Sequence, residues 1–235
     1  MHRTAPVARQ AVEQGLVASA TVLDGGSADR TSGVAREHSI DALWIPDVMA
    51  GLGPVLGKGD SLFRATRVVE ADWFVFLDAD LGNVQVSHIA ALVEPIGRDG
   101  VVFVKGGFVR VDENGVPRDV PGGRVTETLA RPLLAGLAPG LAALSQPLSG
   151  QVAIRADVAR GLSFVTGYGV EIAMLVDVWR SHGPSGIVEA DMGPVQNRWK
   201  PDGALDDVTA EVRAAAALRG LCDPPVGVVP VVERR

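Results

Sequence analysis

The stretch W-F-V-F-L-D-A-D-L-G-N, Trp73 to Asn83, decides the fold. An apolar, aromatic run ends abruptly in two carboxylates, Asp78 and Asp80, with one small residue between them. The run is too short for a helix with its own core face and predicts a strand, Trp73–Leu77, buried on both sides. In an open α/β sheet, ligands sit beyond the carboxyl ends of the strands, where these two acids would project. Hard oxygen donors at such an edge suit Mg²⁺ or Mn²⁺ carrying a diphosphate. Taken alone, the motif also reads as a solvated acidic turn, so the rest of the chain has to decide.

Outward from this strand, strand-like and helix-like segments alternate, which predicts an α/β fold. Upstream lie a short helix over about 7–15, a strand over 17–23, a helix reaching about His38, a strand over 42–45, and a helix from Gly57 to about Val69. Ser27 or Asp29 is placed to cap the second of these helices. Downstream follow a helix over 86–93, a strand over 101–109, and a polar turn at Asp112–Gly115. Arg124 to Leu137 is helix-like, with Pro132 predicting a kink or break. Gly169 to Trp179 is apolar almost all round and predicts a buried helix. The last helix, about 204–219, is amphipathic and ends at Gly220, a suitable C-cap. No repeat, low-complexity tract or linker is visible, so 1–235 reads as one domain.

Composition narrows the function. The 235 residues suffice to bury a sizeable core, and 47% hydrophobic with 21% charged residues is the balance of a soluble globular protein. No apolar run approaches the roughly 20 residues that span a bilayer, so no membrane partner is expected. The opening M-H-R-T-A-P-V-A-R-Q lacks the apolar region of a signal peptide. The single cysteine, Cys222, excludes an intrachain disulfide and points to a reducing cytoplasm. The net charge of −6 argues against nucleic acid as a partner, while leaving room for a small anion in a local basic pocket.

Several residues sit where chemistry would be done. Asp24 and Ser27 follow the second-segment strand and could hydrogen-bond a nucleotide, or serve only as turn and cap. Lys58, between Gly57 and Gly59 at a helix start, offers an anion site, though G-K-G-D lacks the spacing of a P-loop. Gly122-Gly123-Arg124-Val125-Thr126-Glu127 repeats this logic for a phosphate or carboxylate, or is a plain helix entry capped by Thr126. Glu171 lies among apolar residues and needs a partner: a buried ion pair, or a sugar hydroxyl. His38, His88 and His182 lie in polar surroundings and are expected at the surface.

In order, V-L-D-G-G-S-A-D-R-T, G-K-G-D-S-L-F-R-A, F-V-F-L-D-A-D-L, G-G-R-V-T-E-T-L-A-R-P-L-L, Q-P-L-S-G-Q and G-Y-G-V-E-I resemble the retaining GT-A glycosyltransferases that make glucosyl-3-phosphoglycerate, and their mannosyl relatives. The resemblance runs from about Ala20 to Leu221 and implies a GT-A fold, Rossmann-like, with a mostly parallel central sheet flanked by helices. It implies a nucleotide-sugar half over about 1–110 and an acceptor half over about 111–235. By the same resemblance, Lys58 contacts the donor diphosphate, Asp80 ligates Mg²⁺ or Mn²⁺, and Asp78, Ser27 and Asp24 help hold the nucleotide. Gly123, Arg124 and Thr126 hold the acceptor's phosphate, while Leu148 and Glu171 flank the donor sugar. The implied reaction moves a hexose, glucose foremost, from a nucleotide diphosphate sugar such as UDP-glucose to 3-phosphoglycerate, in a homodimer.

Three departures from the family are visible. Its opening strand and P-x-L-N-E-E loop have no counterpart here, its metal-binding His falls on Asn197, and its Glu after S-G is Gln151. A transferase with another acceptor, or a degenerate homologue that only binds nucleotide or phosphate, therefore stays open beside the main reading. The Val-rich segment 226–232 is a candidate extra strand, against which Pro230 counts.

Overall fold

The structure, a computed structural model, describes residues 1–120, 122–197, 205–224 and 231–235. Its elements alternate as the sequence predicts: α1 (Thr4–Glu13), β1 (Thr21–Asp24), α2 (Thr31–Glu37), β2 (Asp41–Trp44), α3 (Gly57–Val68), β3 (Trp73–Phe76), α4 (Val86–Val93) and β4 (Phe103–Arg110). After them come α5 (Arg131–Leu137), α6 (Pro139–Ala142), β5 (Val152–Arg155), α7 (Ala156–Gly161), β6 (Phe164–Val165), α8 (Val170–His182), β7 (Ile187–Val195), α9 (Asp206–Leu218) and β8 (Glu233–Arg234).

The main sheet has the order β3-β5-β4-β7. β4 pairs parallel with β7, and β5 runs antiparallel to both β3 and β4. Three of the four strands therefore point one way, with β5 alone reversed, so the sheet is mixed by pairing. β1 and β2 form a separate parallel ladder. β3 hydrogen-bonds only to β5 among the described strands. This corrects the expectation that it is buried on both sides: Phe74 is buried, while Trp73, Val75 and Phe76 are half-buried at the sheet edge.

The core explains the apolar runs. β4 is buried from Phe103 to Phe108, with β5 and β7 on either side. α8 is buried along almost its whole length from Val170 to Val178, as its all-round apolarity predicts. Each fully buried side chain of the Phe103 or Ile172 kind stabilises the fold by roughly 1.5–3 kcal/mol. Where the sequence predicts a kink or break at Pro132, the helical run changes type: a π-helical turn over Thr126–Ala130 gives way to α5, with Pro132 in its first turn. That wider turn accommodates the missing proline N–H. β5, β6 and β7 are strands that the sequence reading left unassigned.

α3, which starts at Lys58's own turn, is anchored by buried charge. Asp60 and Arg64 are both 0% exposed. Asp60 accepts from Leu56 N at 2.9 Å, Arg64 Nη2 at 3.2 Å and Arg234 Nε at 2.9 Å. Arg64 also donates to the carbonyls of Val48 and Gly53. A buried carboxylate shared between two guanidinium groups fixes the helix start in register. Arg234 lies on β8, which pairs with β6, so the chain does add a strand late, a two-residue one directly after Val232. Of the candidate strand 226–232, residues 226–230 lie outside the described residues, as does the expected start of α9 at 204. No described helix is long and apolar enough to cross a membrane.

His88 corrects a second expectation. It is 3% exposed, and its Nδ1 accepts from Gln85 N, closing a capping box at the start of α4. His38 is half-buried and His182 exposed.

Candidate active site

β3 ends at Phe76, and the chain turns through Asp78-Ala79-Asp80 into open space at the sheet edge. The turn is tied down on both flanks. Thr4 Oγ1 donates to Ala79 O at 2.9 Å. Gly82 N donates to Gln196 O at 2.8 Å, Asn83 Nδ2 to Pro194 O at 2.9 Å, and Gln196 N to Asn83 Oδ1 at 2.7 Å. This zipper brings the end of β7, and with it Asn197, beside Asp80. A Cβ at Gly82 would come within 2.3 Å of the Gln196 side chain, which would have to move aside.

A cavity of about 900 Å³ opens over this edge. Lys58, Asp78, Asp80, Gly123, Arg124, Thr126, Leu148, Glu171 and Asn197 all line it. Nine residues singled out in the sequence are thus gathered at one mouth. Asp80 and Asn197 also share an adjoining recess of about 530 Å³ with Asp112, Glu113 and Arg118.

The charged centre is Lys58. Its Nζ meets Asp78 Oδ1 at 2.5 Å and Glu171 Oε1 at 2.8 Å. Glu171 therefore has the ion-pair partner that its apolar surroundings demand. Burial would lower the Lys58 ammonium, but Glu171 and Asp78 outweigh it and hold the group well above its ordinary value. Burial would likewise raise the Asp78 carboxyl, yet Lys58 and the Gln151 amide hold it below the usual carboxylate range. Beneath this group Lys105, fully buried on β4, donates to Ser149 O at 2.7 Å. Burial drives it down to about 7, with Glu171 opposing the shift.

The other side of the cavity is rich in arginine. Arg110, Arg118 and Arg124 all line it, with Gly122, Gly123 and Thr126. Gly123 adopts φ +82°, and a side chain there would press on the Arg110 guanidinium. Glu127 accepts from Gly122 N at 3.1 Å and pairs with Arg131 at 2.9 Å, pinning the entry to the π turn. Thr126 is buried and makes no side-chain cap. Arg110 and Arg118 were missed from sequence. Their signal was the arginine pair flanking the turn at Asp112–Gly115, which Val111 and Pro117 bridge.

Asp24 and Ser27 are not among the residues lining the cavity. Asp24 is 2% exposed, and its carboxylate accepts from Gly26 N, Ser27 N, Ser27 Oγ and Ser32 Oγ. Those hydroxyls outweigh burial and hold its carboxyl below its ordinary value. The structure therefore gives Asp24 the turn-forming role. Val22, Leu23, Asp29 and Thr31 supply the cavity wall there. Ser27 caps no helix; Asp29 Oδ1 accepts from Thr31 N at 2.8 Å at the start of α2.

Asn197 bears on whether a divalent cation fits. Its Oδ1 is buried and has no hydrogen-bond partner, an orphaned acceptor beside a carboxylate. An amide oxygen and a carboxylate are both ligands of the kind Mg²⁺ and Mn²⁺ accept. Among the described residues, no group of three or more His, Cys, Asp and Glu converges as a metal cage. The residues present fit a cation held partly by protein and partly by a phosphate ligand.

No protein-family model matches the chain. It is 35% identical over 216 residues to the glucosyl-3-phosphoglycerate synthase of Mycolicibacterium smegmatis, covering 91% of this chain and 71% of that one. The crystal structure of mannosyl-3-phosphoglycerate synthase from Rubrobacter xylanophilus superposes with a TM-score of 0.85 at 31% identity, over 93% of this chain and 68% of that chain. Glucosyl-3-phosphoglycerate synthase from Mycobacterium tuberculosis, in complex with Mn²⁺, uridine-diphosphate-glucose and glycerol 3-phosphate, gives 0.79 at 30% identity, over 93% and 76%. Fold and site together define a GT-A glycosyltransferase. The chain belongs to the glucosyl-3-phosphoglycerate synthase family.

Proposed function

We propose that this chain transfers glucose from UDP-glucose to 3-phosphoglycerate, with retention at the anomeric carbon. The observation that carries this reading is a single cavity with an acid–lysine centre at one side and an arginine-lined wall at the other. The first suits a nucleotide diphosphate held through a cation, the second a small phosphorylated acid.

Asp80 and Asn197 would hold Mg²⁺ or Mn²⁺, the rest of the coordination falling to diphosphate oxygens and water. When bound, the cation neutralises charge on the departing diphosphate. Lys58 adds a fixed positive charge at the same oxygens and, paired to Asp78 and Glu171, is held in place for it. Leu148 and Glu171 flank the sugar, the carboxylate accepting from a sugar hydroxyl. Gly123, Arg124 and Thr126 grip the acceptor phosphate, with Arg110 and Arg118 adding positive charge. Retention requires the acceptor hydroxyl on the face from which the diphosphate leaves, so this grip carries much of the rate through orientation.

We also assign about 1–110 to the nucleotide-sugar half and about 111–235 to the acceptor half, and place the protein in the cytoplasm as a homodimer. The lone Cys222 supports a reducing compartment.

The test is UDP release from UDP-glucose with Mn²⁺ or Mg²⁺, with and without 3-phosphoglycerate. Acceptor-dependent release is expected; release indifferent to 3-phosphoglycerate, or none, would overturn the reading. Arg124→Ala is expected to raise the KM for 3-phosphoglycerate about ten- to a hundredfold, the worth of a charge-assisted hydrogen bond. The KM for UDP-glucose should stay within about twofold. Equal losses would place the acceptor's phosphate elsewhere.

A further inference from the structure

Both carboxylate oxygens of Asp78 are engaged by the protein itself. Oδ1 meets Lys58 Nζ at 2.5 Å, and Oδ2 accepts from Gln151 Nε2 at 3.1 Å. The other end of the same amide, Gln151 Oε1, accepts from the Asp78 backbone N–H at 3.1 Å. One side chain thus clasps one residue twice. Gln151 is 1% exposed and is itself held from below: its N–H donates to Ser149 Oγ at 3.1 Å, and its carbonyl accepts from Gly106 N on β4 at 2.8 Å. Lys105 fixes the carbonyl of Ser149 in the same turn. Gly150 lets this turn lie directly under the ion pair, since a Cβ there would come within 2.2 Å of Lys58 Nζ and 2.7 Å of both Asp78 oxygens.

We propose that Gln151 is a positioning residue for sugar-nucleotide binding: its amide locks the Asp78 carboxylate with Oδ1 on Lys58 and Oδ2 turned inward, so that Asp80 is left as the aspartate that meets the cation. Its role in transfer rests on the glucosyltransferase reading above. The clasp needs a group that accepts at one atom and donates at the other. A neutral amide does both. An ionised carboxylate accepts at both and sets like charge against Asp78, whereas a protonated one donates as the amide does. An alkyl chain does neither.

This geometry gives a signature that simple loss of packing would not. Gln151→Leu is compared with the native chain, reading the KM for UDP-glucose, the KM for 3-phosphoglycerate and Tm. The donor KM is expected to rise about tenfold or more, because the amide that sets the Asp78 carboxylate is gone. The acceptor KM should stay within about twofold of native.

A double-mutant cycle separates the clasp from packing. In an Asp78→Ala background the Gln151→Leu change should cost much less Tm than it does in the native chain, because the carboxylate that the amide holds is gone. A Gln151→Leu chain with native donor KM, equal rises in donor and acceptor KM, or the same Tm loss in both backgrounds would overturn the proposal. Tm needs no turnover. A coupled Tm loss in a chain that does not use UDP-glucose would break the transfer reading and leave the clasp standing.

Discussion

Asp80→Ala is expected to abolish cation-dependent binding of UDP and to lower kcat/KM by about a thousandfold or more, the several kcal/mol that a metal contributes to a leaving diphosphate. The reason lies in how few ligands the chain supplies. Asp78 has both oxygens spent inside the protein, and Asn197 offers one neutral oxygen. Asp80 is the one remaining carboxylate of the D-A-D turn, and it is exposed at the cavity edge. Because it is exposed, its removal should leave Tm within about a degree or two of native. Calorimetric titration of UDP with and without Mn²⁺ checks the binding. Cation-dependent binding that survives in Asp80→Ala would remove this residue from the site.

Lys58→Ala should be the second severe loss, and of a different kind. The ammonium is the ion-pair partner of both Asp78 and Glu171. Without it, kcat is expected to fall about a hundred- to a thousandfold, in line with losing one preorganised charge at a developing anion. Stability should fall too. Breaking a fully buried pair costs about 3–5 kcal/mol, but Lys58 and Asp78 are each about a quarter exposed, so solvent screening reduces the cost. Native stability drawn from Asp78, whose carboxyl is held low, is present above its unfolded pKa and lost as pH falls through the folded value. In Lys58→Ala that acid-side dependence should flatten. Unfolding midpoints from about pH 3 to about pH 8 would show it; an unchanged profile would mean that Lys58 does not hold Asp78.

The elements most legible in the sequence were those with strong local signals. α4 runs over Val86–Val93 as expected, and α3 begins at the Gly57-Lys58-Gly59 turn. The all-round apolarity of α8 correctly foretold its burial. The unassigned strands had weak signals for stated reasons. β5 is four residues long, and β7 carries Gly193 and Pro194 near its end, both marks of a turn. His88 was misjudged because polar neighbours in sequence do not report what packs over a capping box. Asp24 shows the opposite difficulty. Its motif matched a ligand-binding pattern, but only coordinates reveal that three donors from its own turn and Ser32 Oγ from α2 surround the carboxylate. Nine of the eleven predicted site residues line the cavity because they sit at or just beyond element ends, where strands and helices deliver side chains to one edge. Gln151 was noticed only as a lost charge. The clasp it makes depends on two segments 73 positions apart in the chain, and no local pattern encodes that.

Arg234 and Asp60 are 174 positions apart, yet one buried contact joins them. During synthesis from the amino end, the helix bearing Lys58 emerges long before the residue that completes its anchor. Until then the Asp60 carboxylate must share a single guanidinium or stay wet. Assembly of the donor side is thus tied to synthesis reaching Arg234, and a chain that stops before that residue would carry Lys58, Asp78 and Asp80 and still lack the latch that steadies them.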